Sequence, residues 1–546
     1  MRENDIDATW ARVAAAAASI ERDAAPWRRR FLELLQDCRF LPGGRILASA
    51  GADGDGTLAN CFVIRACDGS LASALETLVE ARQTLLRGGG VGQDFSGYLP
   101  QAVDASAASG QALAPVAYLQ HWDSMCSAVL ASGVRRGAMM ATLRCDHPDI
   151  LRFCAAKSAP GVLSHFNLSV LVSAAFMRAL AAGDDWPLVF DRTVFGTLPA
   201  HDLWQRLCAR AAGNGEPGVL FVDRINALNN LGYCERISAT NPCGEVPLPA
   251  DGACLLGSIN LTRFVLQPFG EQAHLDLPAL EQTASVATRM LDNFVDIGRY
   301  PLPRQQLEMQ ATRRIGLGIT GLADALAMLQ CPYDSERARQ LAADAMRTIC
   351  HAAYAASIEL ARERGAFARL DRDRYAQQPF IRALPAGLRD GIQAVGIRNS
   401  HLTAIAPTGS ISLLAGNVST GVEPIVMLQG PRSVRDADGG LRSFDISDYA
   451  FARSGLQGMP LSPQTAAHWR VGSQISAEHH LQMQAALQPH VDGAISKTVP
   501  LPVEATAAQV ERILRRADEL GLKGVTVFPG ARAAECPAAP GGSSPR

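Results

Sequence analysis

The sequence is short of lysine and of long hydrophobic runs. The only lysines are Lys157, Lys497 and Lys523, so arginine carries almost all of the positive charge, and the formal net charge is −2. This balance gives no electrostatic reason to expect binding to DNA or to an anionic membrane. No apolar run is long enough to span a bilayer, and the charged start of the chain lacks a signal core. We therefore expect a cytoplasmic protein that binds neither nucleic acid nor membrane.

The remaining composition is typical of a large globular protein. The chain has 546 residues, of which 48% are hydrophobic and 19% charged. This suits either one large α/β barrel or about two to three smaller domains. Thirteen cysteines in a reducing compartment do not form a disulfide framework. Most, such as Cys126, Cys208 and Cys350, are expected to be buried as small hydrophobic residues, which leaves a few as candidates for redox chemistry.

Apolar spacing predicts an alternation of helices and strands. The predicted elements are one or two helices within 9–36, a strand at 61–64, a helix at 71–86 and a strand at 167–172. Residues 88–92 are interpreted as a glycine turn, because they follow a helix and not a strand. Surface loops are predicted at 436–463 and a disordered tail at 533–546. The pattern indicates an α/β organisation.

The most informative segment is Asn241-Pro242-Cys243-Gly244-Glu245. It sets an amide, a thiol and a carboxylate at alternate positions, which point the same way in an extended chain. The intervening proline and glycine favour a tight loop. The three side chains are therefore candidates to converge on one small substrate. A turn with a buried cysteine is the alternative, and it would be the better interpretation of this segment alone.

Two further cysteines lie in strand-like surroundings. Cys61 opens an apolar run, and Cys254 stands in a second run that ends at Asn260. Two neighbouring thiols can supply two electrons by closing to a disulfide, provided that their Cα atoms lie within about 7 Å. A cysteine that opens a strand is otherwise most often a core residue. Cys67 is expected to face the other side of the strand and to be structural.

Together these segments resemble the ribonucleotide reductase family. The resemblance spans roughly residues 39–527 in the family's order. It implies a ten-stranded α/β barrel, made of two antiparallel-related five-stranded halves, with a central finger loop and a helical N-terminal segment. The implied division is a helical segment at 1–38, the barrel at 39–530 and a disordered tail at 531–546. Because the stretch before the barrel is short, we do not expect an ATP-binding activity domain.

The resemblance also implies a role for each thiol and for its neighbours. Cys243 would carry the thiyl radical that takes the 3′ hydrogen of the ribose, and Glu245 would accept the proton of the 3′ hydroxyl. Asn241 would hold the sugar hydroxyls. Cys61 and Cys254 would form the reducing pair.

A phosphate-binding role is implied for a segment near residue 410. Proline, glycine and hydroxyl residues before an apolar run favour a helix whose free amides bind an anion. An ordinary helix N-cap explains the segment about equally well when it is taken alone. In the family this segment cradles the substrate phosphates, and the resemblance assigns that role to Thr408, Gly409, Ser410, Ile411 and Ser412.

Three positions resemble segments that bind an effector nucleotide and link it to substrate choice. Asp68 follows Cys61 at the spacing of an acidic effector contact, Arg135 lies within 133–138, and Lys157 opens 157–165. A solvated surface loop is the alternative for each. The resemblance implies dNTP or ATP effectors and a homodimer, since effectors of the family usually bind near a subunit contact.

The radical source is inferred from what the sequence lacks. It has neither the C-terminal tyrosine pair of reductases that use a partner subunit nor a glycyl-radical loop. The remaining class uses adenosylcobalamin, which brings its own cobalt, so no side-chain metal site is expected. The implied reaction is reduction of ribonucleoside diphosphates. A large subunit with a radical partner, a catalytically silent nucleotide-binding paralogue and a structural scaffold with coincidental cysteines are the alternatives.

The tail of the sequence bears on the source of electrons. The tail carries a single cysteine, Cys536, where many members of the family carry a pair. A single thiol cannot form an intrachain disulfide. Cys536 could act with a second chain, but we expect it to be inert, with a thioredoxin-type reductant that reaches Cys61 and Cys254 directly.

Overall fold

The computed structural model describes residues 5–101, 114–131, 137–435, 441–459 and 462–529. The helices are α1 Ile6–Ala18, α2 Ala24–Gln36, α3 Gly44–Ser49, α4 Leu71–Leu86, α5 Pro115–Ala131, α6 Ile150–Cys154, α7 Ala174–Ala182, α8 Ala200–Asn214, α9 Val222–Ala227, α10 Leu277–Ile297, α11 Pro303–Thr312, α12 Leu322–Met328, α13 Glu336–Arg364, α14 Arg372–Ala376, α15 Pro379–Arg382, α16 Ala386–Val395, α17 Gly409–Leu414, α18 Tyr449–Arg453, α19 Pro463–His468, α20 Ala477–Leu487 and α21 Ala507–Glu519. The strands are β1 Phe40–Pro42, β2 Cys61–Val63, β3 Gly90–Asp94, β4 Met139–Arg144, β5 Phe166–Val172, β6 Asp185–Phe190, β7 Thr193–Pro199, β8 Gly218–Phe221, β9 Ala239–Thr240, β10 Pro247–Leu248, β11 Ala253–Asn260, β12 Val265–Leu266, β13 His274–Leu275, β14 Ile315–Thr320, β15 Gln429–Arg435, β16 Leu441–Ser447, β17 Thr498–Leu501 and β18 Gly524–Pro529.

Five parallel strands form one half of the central sheet. β2, β3, β4, β5 and β8 pair side by side, each parallel to the next. β4 and β5 are almost entirely buried apolar runs, as expected for parallel strands that are covered on both faces. Their outward side chains form one core with helices α4, α5 and α8, which contribute Leu85, Trp122 and Trp204.

A second parallel set continues the sheet. β11 is parallel to β14, and parallel bridges join Leu317 to Thr403 and Ile405 to Ile495. The segment with Ile495 leads into β17, which is parallel to β18. Residues 403–405 and 495–501 therefore take two strand positions, and this half also has five members.

The two halves are antiparallel where they meet. β2 is antiparallel to β11 at one seam, and β8 is antiparallel to β18 at the other. The backbone pairings therefore lead round a ring of ten extended segments in two five-stranded halves. This agrees with the predicted fold. β1 lies outside the ring and pairs with β11 through Phe40 and Ile259.

The N-terminal helices pack against the second half. α1 contributes Trp10 and Val13 to the same core as Phe294 of α10. Beside them, Glu21 accepts hydrogen bonds from Arg289 Nε and Asn293 Nδ2, both at 2.7 Å. The hydrogen bonds from these groups outweigh the cost of burial and lower the pKa of Glu21 to about 2. Among the described residues, no helix is both long and apolar enough to cross a membrane.

Several predicted elements are confirmed. The helix at 71–86 has the predicted bounds, and the strands at 61–64 and 167–172 are shifted by one residue at one end. Two helices lie within the N-terminal stretch, although the first begins at Ile6. Cys126, Cys208 and Cys350 are buried in the cores, as their composition-based assignment predicted.

Two predictions are wrong. The glycine turn at 88–92 gives way to strand β3 from Gly90 onward, because its glycines serve close packing in a strand and not chain reversal. The surface loops predicted at 436–463 include strand β16 and helix α18. Asp448 starts that helix by accepting a hydrogen bond from Phe451 N at 3.2 Å. The predicted tail, including Cys536, lies outside the described residues.

Candidate active site

The finger loop is a short hairpin. β9 and β10 are antiparallel, with Thr240 opposite Pro247, and residues 241–246 form the tip. Asn241 N donates to Val246 O at 3.2 Å, and Gly244 N donates to Asn241 O at 3.0 Å. Gly244 has φ +82°, which glycine adopts without strain. The tip is therefore a turn, and the extended conformation used in the sequence argument is wrong.

Both halves of the ring hold this tip. On the first half, Asn167 Nδ2 donates to Pro242 O at 2.7 Å. On the second, Ala494 N donates to Glu245 O at 2.8 Å. Sequence reasoning missed Asn167 as a site residue, although a polar side chain in an otherwise apolar strand pattern was a usable signal.

Gly92 lets the hairpin lie directly against β3. A Cβ atom at Gly92 would stand 1.8 Å from Thr240 O. We expect Gly92→Ala to lower the free energy of unfolding by about 3 kcal/mol and to displace the finger loop. Urea unfolding measures the first effect, and alkylation of Cys243 by iodoacetamide measures the second. Gly196→Ala is the matched control, since nothing lies within 4 Å of a Cβ atom there; equal effects of the two changes would contradict the prediction.

Cys61 and Cys254 face each other across the seam between the halves. They are directly opposite in the antiparallel pair of β2 and β11. Opposite residues in such pairs have Cα atoms about 4.5–5.5 Å apart, which lies within the range for a disulfide. Both thiols are free and buried. The distance condition for a reducing pair is therefore met without backbone movement.

Side chains of a strand alternate between its two faces, and both thiols lie on the face that points into the ring. Cys61 and Val63 of β2, and Cys254 of β11, share one small interior cluster with Ala404. Cys67 lies beyond the end of β2 and belongs to the outer core. It is thus separated from the thiol pair, as predicted, although the strand ends before reaching it.

Asn241 and Glu245 stand beside this pair. Asn241 Nδ2 donates to Cys61 Sγ at 3.2 Å, and its Oδ1 accepts from Val246 N at 3.0 Å. Glu245 is buried, and its Oε2 atom has no hydrogen-bond partner among the described residues. An unpaired buried carboxylate oxygen is costly. It is a free acceptor for a hydroxyl of a bound molecule.

Burial controls the protonation of the tip. It raises the pKa of Glu245 to about 7, with a smaller opposing effect of the Asn241 amide. Burial, and next the charge of Glu245, raise the pKa of Cys243 well above its ordinary value, and the same two causes act on Cys61. Burial also raises the pKa of Cys254, although the charge of Arg314 opposes it. Burial thus keeps the three thiols as S–H groups, next to a carboxyl whose pKa is raised toward neutrality.

The segment after the interior cluster turns into a short helix. α17 begins at Gly409, and Thr408 before it has φ +48°. Thr408 makes no capping bond to the helix, so the ordinary N-cap interpretation is wrong for its side chain. The first amides of a helix, here those of Gly409, Ser410 and Ile411, have no intrahelical partner.

This helix lies within reach of the thiols. Ala404 packs with Cys61 and Cys254, and four residues of chain from there to Thr408 span at most about 13 Å. One small molecule can therefore reach both the thiols and the first amides of α17.

Two of the three predicted effector residues, Asp68 and Lys157, lie within the part of the chain that the structure describes. Asp68 is exposed and accepts hydrogen bonds from Ser70 N at 2.9 Å and Ser70 Oγ at 2.7 Å, which lower its pKa. Lys157 pairs with Glu216 Oε2 at 2.8 Å and donates to Phe166 O at 2.7 Å. Arg135 lies outside the described residues. Asp68 is therefore bonded within its own turn, and Lys157 is held by Glu216 and by the backbone of β5.

Comparison with known proteins gives one consistent result. The family profile described as "Ribonucleotide reductase, barrel domain" matches residues 59–528. The chain is 40% identical over 522 residues to the "Vitamin B12-dependent ribonucleoside-diphosphate reductase" of Mycobacterium tuberculosis, covering 92% of this chain and 72% of that protein. It is 32% identical over 525 residues to the protein of the same name from Thermoplasma acidophilum, covering 92% and 65%. A "Vitamin B12-dependent ribonucleotide reductase" of Streptomyces coelicolor is 26% identical, with 86% and 56% covered.

Proposed function

Because this chain belongs to the ribonucleotide reductase family, we propose that it reduces ribonucleoside diphosphates to 2′-deoxyribonucleoside diphosphates with adenosylcobalamin. The names of the relatives support the diphosphate level and the cofactor. The observation that carries the proposal is the grouping at the finger-loop tip: Cys61 stands opposite Cys254, Asn241 contacts Cys61, and Glu245 next to Cys243 keeps a buried, unpartnered oxygen. Burial raises the pKa of all three thiols and so keeps them as S–H groups. Hydrogen-atom chemistry needs S–H groups and not thiolates.

The surroundings of Cys243 fit a cofactor that acts on a thiol at close range. Cys243 is half-buried, whereas Cys61 and Cys254 are fully buried. Nothing lies within 4 Å of a Cβ atom built at Gly244, so the tip has open space at the residue next to Cys243. When bound, adenosylcobalamin supplies the oxidising equivalent that removes a hydrogen atom from a thiol.

Glu245 and Asn241 then handle the sugar hydroxyls. The thiyl form of Cys243 takes the 3′ hydrogen atom of the ribose and later returns it. Glu245 Oε2 accepts the proton of the 3′ hydroxyl, and its pKa of about 7 suits a base that works near neutral pH. Asn241 orients the sugar through its amide, which already contacts Cys61.

Cys61 and Cys254 supply the electrons. The C2′–O bond breaks, the oxygen leaves as water, and the two thiols give up two electrons and two protons as their S–S bond forms. An external dithiol of the thioredoxin type reduces this disulfide by thiol–disulfide exchange and becomes oxidised itself. The direct opposition of the two cysteines across the seam supports this assignment.

The phosphates of the substrate bind at the start of α17. Free amides of Gly409, Ser410 and Ile411 provide donors for an anion. Thr408 and Ser412 frame the same turn. Only four residues separate this turn from Ala404, which packs with Cys61 and Cys254, so the turn lies near the thiols.

Deoxynucleoside triphosphate or ATP effectors and a homodimer complete the proposal. Asp68 precedes α4, and on that helix Leu71, Leu75 and Val79 are four residues apart on one face. They are 36%, 50% and 53% exposed. An apolar stripe of this kind supports a helix-to-helix contact between two copies.

A charged side chain on this apolar face of α4 should dissociate the proposed homodimer. We expect Leu75→Glu to convert a dimer into a monomer, because an ionised side chain in an apolar contact is poorly compensated. Multi-angle light scattering measures the mass. Val503→Glu is the control, since Val503 is 71% exposed on another part of the surface. A mass unchanged by Leu75→Glu would exclude this face as the contact.

The function itself is tested by one assay. Purified protein is incubated with CDP and excess dithiothreitol, with and without adenosylcobalamin, and dCDP is measured by chromatography. Product only with the cofactor is the expected result. Product only after addition of a radical-bearing partner subunit would overturn the cofactor assignment. No product under either condition, with effector nucleotides still raising the melting temperature, would favour a silent nucleotide-binding paralogue.

A further inference from the structure

The hydroxyl of Thr408 is committed to the protein. Thr320 Oγ1 donates its single hydrogen to Ser419 O at 3.0 Å, because a carbonyl oxygen only accepts. The 3.0 Å hydrogen bond between Thr320 Oγ1 and Thr408 Oγ1 must then be donated by Thr408. Gly421 N also donates to Thr408 Oγ1 at 2.8 Å. Thr408 therefore has no hydrogen left for a phosphate oxygen.

Ser419 is fixed from the other side by Asp324. Ser419 N donates to Asp324 Oδ2 at 2.6 Å, and Ser419 Oγ accepts from Ala323 N at 3.0 Å. Gly321 N donates to Ser419 O at 2.8 Å. Asp324 and Thr320 are completely buried, so these bonds do not compete with water.

Asp324 has a second carboxyl beside it. Its Oδ1 accepts from Ala450 N at 2.9 Å, so Asp324 binds two backbone amides, whereas Asp448 accepts from Phe451 N. Burial, and next the charge of Asp324, raise the pKa of Asp448 to about 9. Two adjacent carboxylates cannot both ionise at low cost. Burial raises the pKa of Asp324 as well, although its two amide donors oppose this. The pair therefore favours a state with one proton, and the two amides favour the charge on Asp324.

We propose that Asp448, Asp324, Ser419, Thr320 and Thr408 form a buried positioning relay that fixes the substrate-phosphate loop. The inference rests on the proposed function of that loop. The relay holds Thr408 at φ +48°, a conformation that a β-branched residue adopts only when its surroundings enforce it. Thr408 is thus a positioning residue and not a phosphate ligand.

The relay also sorts the remaining residues of the loop. Ser412 Oγ donates to Gly409 O at 3.1 Å, so its hydrogen is committed as well. Ser410 is exposed at the start of α17. The donors left for phosphate are the amides of Gly409, Ser410 and Ile411 together with the Ser410 hydroxyl.

Paired substitutions separate positioning from binding. Thr408→Val removes the hydroxyl and keeps the shape, and Thr408→Ser keeps the hydroxyl. Asp324→Asn replaces one acceptor oxygen by an NH2 group, which then faces the amide of Ser419 or Ala450 and cannot accept from it. Asp448→Asn is milder, because an asparagine offers one donor and one acceptor, as a protonated aspartate does. We expect Thr408→Val and Asp324→Asn to raise KM for CDP about tenfold with kcat nearly unchanged. Thr408→Ser and Asp448→Asn should keep the wild-type KM.

Binding of inorganic pyrophosphate, measured by calorimetry on the full chain, provides a readout without turnover. Thr408→Val should weaken it as strongly as it raises KM, and Thr408→Ser should restore it. The relay would be overturned if Thr408→Val and Thr408→Ser changed KM and pyrophosphate affinity equally. It would also be overturned if Asp324→Asn and Asp448→Asn raised KM equally. If Asp324→Asn does not fold, the Thr408 pair still decides.

The two proposals fail in different ways. A wild-type protein that binds pyrophosphate but reduces no CDP would count against the proposed function, and the Thr408 variants would still test the relay by calorimetry. A wild-type protein that reduces CDP while its Thr408→Val variant keeps the same KM and pyrophosphate affinity would remove the relay and leave the function intact.

Discussion

Replacing Cys243 by serine should abolish formation of dCDP. A serine O–H bond is too strong to exchange its hydrogen atom with a carbon-centred radical, so the first step on the ribose cannot occur. Cys243 is only half-buried, and serine differs from cysteine by one atom, so we expect the free energy of unfolding to change by less than about 1 kcal/mol. Product by chromatography and urea unfolding are the two measurements.

The control for Cys243→Ser is the same change at a cysteine in the outer core. Cys126→Ser places a hydroxyl in a fully buried apolar site, so it should cost stability and leave turnover per folded molecule unchanged. Turnover by folded Cys243→Ser protein would remove Cys243 as the radical site and with it the assignment of Glu245 as the base for the 3′ hydroxyl.

Replacing Glu245 by glutamine should abolish turnover and stabilise the protein above pH 7. The pKa of Glu245 is raised from 4.5 to about 7 by burial, so folding favours its protonated form. Its contribution to stability is fully present below the unfolded pKa and is lost as the pH rises through about 7. At pH 8 the buried carboxylate lowers the free energy of unfolding by about 3 kcal/mol, a cost that glutamine avoids.

Urea unfolding at two pH values tests this sign. The difference between Glu245→Gln and wild type should be small at pH 5, where both side chains are neutral, and should grow toward pH 8. Glu504→Gln, at an exposed position, should show no such growth. A constant difference at both pH values would mean that Glu245 is not held near neutrality. The kcat of the wild type should fall below about pH 7, as the base becomes protonated.

Local chemistry made part of the site predictable from the sequence. Asn241, Cys243 and Glu245 lie within five residues, so any tight loop brings them close, and the prediction does not depend on the wrong extended conformation. Cys61 and Cys254 required long-range pairing that periodicity alone does not give. There the resemblance to a family, and not the strand pattern, supplied the partner.

The parts that sequence reasoning missed depend on tertiary contacts. Asp324 lies in an apolar helix and Ser419 in a loop, and no spacing rule links them to Thr408. The extended segment at 403–405 joins the ring through two isolated bridges. Three residues are too few for an apolar pattern that would predict a strand. Gly92 reads as a chain breaker because the hairpin that packs on it is far away in sequence.

The position of Cys61 and Cys254 at the seam couples catalysis to stability. A disulfide there would close a covalent loop that encloses strands β3 to β10 and would stabilise the fold by about 5 kcal/mol in the chain-entropy description. By thermodynamic linkage, folding favours the disulfide over the dithiol by the same amount. The reduction potential of the pair is therefore about 100 mV lower in the folded protein than in the unfolded chain. Each turnover would therefore leave the protein more resistant to unfolding than before, and the dithiol that reopens the pair would have to be a correspondingly strong reductant.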